Sequence, residues 1–185
     1  SLEEVESARQ TLQVKLQAPA LDALQGASAW LICLNDTSQL PILTRLQLME
    51  WANVETAPII QSLESQFLLS PSSNRVDTQA QWQALLNYYQ DMVLAYQAIM
   101  DEWQSTGQLL KLSKASIALV CARFFRAARN LLKWHWIRHN AIPSDFWLRV
   151  SSVWVLVESV QVQLLFVAQP EHTVETNPLR EWLSL

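Results

Sequence analysis

The sequence predicts an all-α protein, either an up-and-down bundle or a stack of helical hairpins with about six to eight helices. Only two glycines, Gly26 and Gly107, occur in 185 residues, whereas β-hairpins need residues that tolerate positive φ at short spacing. Apolar residues recur at three- and four-residue steps along most of the chain, the period of an amphipathic helix. A chain of 185 residues is long enough to bury one continuous hydrophobic core. We therefore expect residues 1–185 to form a single helical domain.

The first two helices are bounded by caps and prolines. Ser1 is expected to cap the first helix, with Glu4 completing a capping box, and Pro19 to end it. A second, weaker helix covers about residues 20–34. A polar joint follows, and Pro41 suits the first turn of a third helix.

Thr56 and Pro58 interrupt the apolar pattern of the third helix. Proline has no N–H and clashes with the preceding turn, so a helix is expected to end there. A fourth helix then carries the pattern over residues 59–67, and the segment 70–74, Ser-Pro-Ser-Ser-Asn, is the clearest loop.

The fifth helix starts at Asp77 and has the most regular apolar stripe in the chain, which predicts a long amphipathic helix on the bundle surface. The stripe consists of Trp82, Leu85, Leu86, Tyr89, Met92, Val93, Tyr96, Ile99, Met100 and Trp103. We expect Trp82, Met92, Tyr96 and Trp103 to face the core.

A sixth helix is predicted from about Ser113 to His139, apolar on more than one side and hence central. Ser144 and Asp145 can cap a seventh, which ends before Pro170. A last helix begins at Pro178, and its apolar pattern is cut off at Leu185. We therefore expect the chain to be a fragment of a longer protein.

Several kinds of active site are excluded by composition. A P-loop or a dinucleotide fingerprint needs closely spaced glycines, which the chain lacks. No Glu-x-x-His occurs, so a di-iron bundle site has no ligands. His135 and His139 are four residues apart, but the interaction of both with the carboxyl-terminal helix dipole is favoured over metal binding. The expectation is a protein without catalytic residues, metal or cofactor.

Basic residues are concentrated in one part of an otherwise acidic chain, whose net charge is −4. No Asp or Glu lies between Glu102 and Asp145, yet seven of the 13 lysines and arginines do. At about 100° per residue, Arg126, Arg129 and Lys133 share one side of the sixth helix, with Arg123 at the edge. We call these four residues the basic ridge.

Two interpretations of the basic ridge remain open. It can be a docking face for an anionic partner, such as an acidic helix, a nucleotide or a phospholipid head group, and we expect a protein or another domain of the same chain. Alternatively, its charges pair internally with carboxylates of neighbouring helices, Asp91 and Asp101 being candidates. Nucleic acid is not expected as a partner, because the net charge is negative and no extended basic track exists. A homo-oligomer is a further open alternative.

The remaining features indicate a protein of the cytoplasm. The start is acidic and lacks the basic and apolar regions of an export signal. The most apolar stretch, residues 153–168, contains Glu158 and is shorter than the ~20 residues of a membrane span. Cys33 and Cys121 are expected to be reduced core residues.

Trp134 and Trp136 point about 160° apart around their helix, so they cannot share one face.

Three stretches resemble the helical N-terminal region of bacterial PilZ-type cyclic-di-GMP effector proteins. They are Leu34-Asn35-Asp36 through Arg45 to Glu50; Leu85-Leu86-Asn87-Tyr88-Tyr89; and Ala127 to Glu158, with Ile142-Pro143 and Phe146-Trp147. The resemblance spans roughly residues 28–169. It implies a helical regulatory or partner-binding domain that precedes a β-barrel nucleotide receptor. The receptor signature, R-x-x-x-R followed by [D/N]-x-S-x-x-G, is absent, so no ligand residues carry over.

The leading hypothesis is a non-catalytic helical regulatory and protein-interaction module, the helical domain of a cyclic-di-GMP-responsive bacterial signalling effector. The alternative is a helical enzyme or small-ligand carrier with a pocket between helices, using His135, His139 or Tyr96. A deep cavity with converging polar groups would favour the alternative.

Overall fold

A computed structural model describes residues 1–37, 39–107 and 114–167. Within these residues six helices form and no strand is present, which confirms the all-α prediction. The helices are α1 (Leu2–Leu16), α2 (Ala20–Asp36), α3 (Ile42–Leu69), α4 (Val76–Ser105), α5 (Lys114–His139) and α6 (Phe146–Val167). The helix predicted from Pro178, like the predicted start at Ser113, lies outside the described residues.

The start of α1 and the end of α5 are stabilised by local hydrogen bonds. At the start of α1 the Ser1 hydroxyl accepts from the Glu4 N–H while the Glu4 carboxylate accepts from the Ser1 amine, so the predicted capping box is confirmed. At the end of α5 Asn140 adopts a φ of 50°, and its N–H donates to the Trp136 carbonyl at 2.8 Å. Asparagine tolerates this left-handed conformation, which closes the last turn.

The predicted break at Pro58 is wrong, because α3 is one continuous helix from Ile42 to Leu69. Pro58 lies on the exposed side of α3, beside Val54, which is 71% exposed. Water can bond the carbonyl that proline leaves without a partner on this side. The opposite side of α3 buries Thr56 and Leu63, and this packing holds the helix together across the proline.

Helix α4 lies at the centre of the bundle and not on its surface. It packs against α2, α3 and α5, whereas α5 packs chiefly against α4 and α6. The predicted core positions Trp82, Tyr96 and Trp103 are buried, and Met92 packs against the core at its edge. Tyr88, Ala84 and Ala95 are buried as well, outside the predicted stripe. The buried surface of α4 is therefore wider than one stripe and accommodates three neighbouring helices.

Helices α3 and α4 are antiparallel, and a regular series of side-chain contacts defines their register. Near one end Arg45 meets Glu102; further along, Asn53 meets Tyr96 and Thr56 meets Tyr88; at the other end Phe67 stacks on Trp82. Trp134 of α5 joins this last pair, with ring centroids 5.7 Å from Trp82 and 6.4 Å from Phe67. Through this aromatic cluster, α5 packs against both α3 and α4.

No helix within the described part of the chain is both long enough and apolar enough to cross a membrane.

Candidate functional site

The four residues of the basic ridge lie along α5 but in different environments. Arg126 and Lys133 are exposed, whereas Arg123 and Arg129 are half-buried. The Lys133 ammonium lies 5.0 Å from the ring centroid of Trp134, its neighbour in the chain. Such a cation–π contact keeps the lysine stem against the helix surface. Among the described residues, no carboxylate forms an ion pair with Arg129 or Lys133.

Arg123 is paired inside the protein. Its Nε donates to both carboxylate oxygens of Glu50 on α3, at 2.9 and 3.0 Å, and about a quarter of each side chain is exposed. The predicted internal partners, Asp91 and Asp101, are not the ones found here. Burial raises the pKa of the Asp91 carboxyl and that of the Asp101 carboxyl. The charge of Arg123 is therefore already balanced by a carboxylate of the neighbouring helix.

Glu50 is the centre of a polar network that connects three helices. It also accepts from the Tyr96 hydroxyl at 3.1 Å, and that hydroxyl in turn accepts from the Asn53 amide at 2.8 Å. Burial raises the pKa of Tyr96, and the nearby Glu50 carboxylate adds to the rise. Tyr96 is fully buried, and its hydroxyl is bonded to Asn53 and Glu50.

Two further tyrosines of α4 are bonded to α3 in the same way. The Tyr88 hydroxyl shares a 3.0 Å hydrogen bond with Thr56, and burial raises the pKa of Tyr88 to about 12. The Tyr89 hydroxyl donates to Glu64, and burial together with that carboxylate raises the pKa of Tyr89. Sequence reasoning missed Glu50 and Glu64. Their signal was an acidic residue placed among the apolar positions of a predicted helix.

Arg138 ties the carboxyl end of α5 to the loop between α3 and α4. Its Nη1 donates to the Ser73 carbonyl at 2.8 Å and to the Pro71 carbonyl at 3.2 Å, and its guanidinium lies 5.5 Å from the Trp82 ring centroid. These carbonyls lie outside a helix, so Arg138 supplies hydrogen bonds that water would otherwise have to provide. Arg138 therefore has a structural role at this end of α5.

His135 and His139 come together on the surface of α5, with ring centroids 4.8 Å apart. The His135 Nδ1 lies 2.7 Å from the Ala141 carbonyl oxygen. Partial burial lowers the pKa of His139, as do the nearby His135 and Arg138. Among the described residues, no group of three or more His, Cys, Asp or Glu could hold a metal ion.

Two cavities lined by described residues are open grooves on the surface. One of 670 Å³ lies between α1 and α2 and includes Trp30 and Cys33. Another of 220 Å³ lies between α4 and α5 and includes both histidines. Cys33 is exposed in its groove, so its predicted core position is wrong, whereas Cys121 is buried as predicted. Trp134 is buried and Trp136 is 51% exposed, as their angular separation required.

The fold and these sites together define a helical domain in which a polar network at Glu50 connects α3, α4 and α5, and in which α5 presents basic side chains to solvent. Residues 6–183 match the family model described as the N-terminal domain of the cyclic-di-GMP receptor FimW, and the chain belongs to this family. The resemblance to the helical region of PilZ-type effectors is thereby confirmed. No curated protein and no solved structure matches the chain.

Proposed function

We propose that the chain is a non-catalytic regulatory and protein-interaction domain of a cyclic-di-GMP receptor. The family match over residues 6–183 is the observation that carries this proposal. The polar network at Glu50 supports it, because the side chains of this network, between α3, α4 and α5, are bonded to one another. The Glu50 carboxylate, for example, accepts hydrogen bonds from Arg123 and Tyr96. In this proposal, nucleotide binding belongs to another domain of the receptor, and the helical domain passes the signal to a partner.

The docking face in this proposal is the basic ridge, Arg123, Arg126, Arg129 and Lys133, with its exposed side chains in contact with the partner. Arg123 lies at the edge of this face, and its charge is paired with that of Glu50. The partner is an acidic surface, either of another protein or of another domain of the same chain. Nucleic acid is disfavoured by the net charge of −4, which repels a phosphate backbone at distance.

The test is charge reversal within the full-length receptor. The triple variant R126E/R129E/K133E should stay folded and helical but lose the co-purifying protein or interdomain contact. Binding of the unmodified receptor should weaken with salt, as expected of screened surface charges. The matched control is Arg75→Glu, because Arg75 is an exposed basic residue outside the ridge, with 78% of its side chain accessible. Light scattering on the same samples separates self-association from binding to a different partner.

Two results would defeat the docking proposal. Unfolding of the triple variant would show that the ridge is paired internally. Tight binding of the unmodified receptor to DNA or RNA at physiological salt would assign the wrong class of partner.

A cytoplasmic location is part of the proposal. Cys33 and Cys121 are both free, Cys33 is exposed and Cys121 is buried. An exposed unpaired thiol is typical of a reducing compartment, where disulfides do not persist.

A further inference from the structure

The two histidines of α5 have the spacing of a metal chelate. Residues four apart lie on the same side of a helix, one turn above the other, and the rings of His135 and His139 are 4.8 Å apart between centroids. Two imidazole nitrogens bound at about 2.0–2.1 Å to one tetrahedral ion lie roughly 3.3 Å from each other. Ring centroids 4.8 Å apart allow a nitrogen of each ring to come this close to the other.

The His135 ring is already oriented by a hydrogen bond to the backbone. Its Nδ1 lies 2.7 Å from the Ala141 carbonyl oxygen, which can only accept, so Nδ1 carries the proton. The other nitrogen, Nε2, then keeps its lone pair. A backbone carbonyl that holds one ring nitrogen and leaves the other for an ion is the usual second contact of metal-binding histidines. The left-handed turn at Asn140, with φ 50°, is what brings Ala141 back to the ring.

The two rings open onto a groove with further oxygen and nitrogen groups. The groove has a volume of 220 Å³, and α4 contributes Gln83, Asn87 and Gln90 to its wall. The Gln83 amide donates to the Asn87 carbonyl oxygen at 2.8 Å, so these side chains are held in place. Ser144 adds a hydroxyl from the segment before α6. An ion on the two imidazoles would therefore have water and neutral polar groups as its other neighbours.

We propose that His135 and His139 form a two-histidine site for a divalent transition-metal ion such as Zn²⁺, in the groove between α4 and α5. Imidazole is a ligand of choice for Zn²⁺ and Cu²⁺, whereas Mg²⁺ and Ca²⁺ prefer carboxylate and carbonyl oxygens. The site is open, since only two protein nitrogens hold the ion, and it is distinct from the basic ridge. Bound metal would join two successive turns at the carboxyl end of α5 and face the groove wall supplied by α4.

The experiment is a calorimetric titration of the untagged full chain with ZnCl₂, repeated with MgCl₂. One saturable Zn²⁺ site per chain is expected, with no response to Mg²⁺. His139→Gln and His135→Gln should each weaken binding at least about tenfold, because a chelate becomes a single ligand. His139→Cys should retain binding through its thiolate. The matched control is His172→Gln, which removes the remaining histidine of the chain and should leave the affinity unchanged.

A thermal melt supplies the second measurement. Zn²⁺ should raise the Tm of the unmodified chain and not that of His139→Gln, since an ion that binds only the folded state stabilises it. His139 is exposed, so this variant should fold normally. The proposal is overturned if Zn²⁺ does not bind saturably, if binding survives His139→Gln, or if His172→Gln abolishes it.

Discussion

Arg123 on α5 donates from Nε to both carboxylate oxygens of Glu50 on α3, at 2.9 and 3.0 Å. The two residues are 73 positions apart in the chain, and Tyr96 of α4 donates to the same carboxylate. One acidic side chain thus connects the three helices that carry most of the aromatic core.

Arg123→Met should destabilise the fold by about 1–3 kcal/mol, because it leaves the partly buried Glu50 carboxylate with Tyr96 as its remaining partner. Glu50→Gln and the double variant complete a mutant cycle, and their non-additivity isolates the pair. Arg75→Met is the control: its partner is Asp77 and both side chains are exposed, so a change within about 0.5 kcal/mol is expected. Urea midpoints measure all four variants, and equal losses at Arg123 and Arg75 would contradict the prediction.

Tyr96→Ala should cost on the order of 3 kcal/mol or more, because a fully buried ring leaves a cavity, and Trp103→Ala should behave alike. Tyr96→Phe keeps the ring and removes only the hydroxyl that bonds Glu50 and Asn53, so a loss of about 1–2 kcal/mol is expected. Trp147→Ala is the matched surface control, since Trp147 is 53% exposed. Denaturant midpoints decide; an effect of Tyr96→Ala no larger than that of Trp147→Ala would count against this core position.

All three tyrosines of the chain are buried, and this should make the protein sensitive to alkali. Burial is the main reason that their pKa values are raised, that of Tyr88 to about 12. The folded state favours the neutral phenols, so stability is intact below pH about 10, the pKa of an unfolded tyrosine, and falls as pH rises toward 12 and beyond.

The measurement follows tyrosinate absorbance and far-ultraviolet circular dichroism through the same alkaline titration. Tyrosinate should appear only together with the loss of helicity. Ionisation of the tyrosines in a fully helical protein near pH 10 would show that the phenols are accessible.

The two cysteines should differ sharply in reactivity. Cys33 is exposed, whereas burial raises the pKa of the Cys121 thiol to about 12. Because the thiolate is the reactive form, a disulfide reagent should label one thiol quickly in the native protein and the second only after unfolding. Cys33→Ser should abolish the fast reaction and leave the slow one. Two fast equivalents in the native protein would contradict the burial of Cys121.

Much of the fold could be predicted because it depends on local order along the chain. The capping box at Ser1, the long apolar stripe of α4 and the end of α5 before Pro143 all follow from the spacing of a few neighbouring residues. Pro58 shows the limit of such reasoning. A proline breaks a helix in isolation, but the packing of Thr56 and Leu63 keeps α3 continuous past it.

The candidate sites could be predicted only in part. The spacing of Arg126, Arg129 and Lys133 places them on one side of a helix, and four residues put His135 and His139 together. Their partners depend on which helices meet. Glu50 lies far from Arg123 in the sequence, and the Ala141 carbonyl reaches His135 through a left-handed turn. Neither contact has a local signature.

Local sequence alone predicts the helices of the described residues, most of their ends, and the concentration of basic residues on α5. These properties arise from backbone preferences and the 3.6-residue period, which act over a few residues. The central place of α4, the pairing of Arg123 with Glu50 and the exposure of Cys33 follow only from how the helices pack. Those outcomes depend on which surfaces come together across distant parts of the chain, and close packing of whole helices selects them.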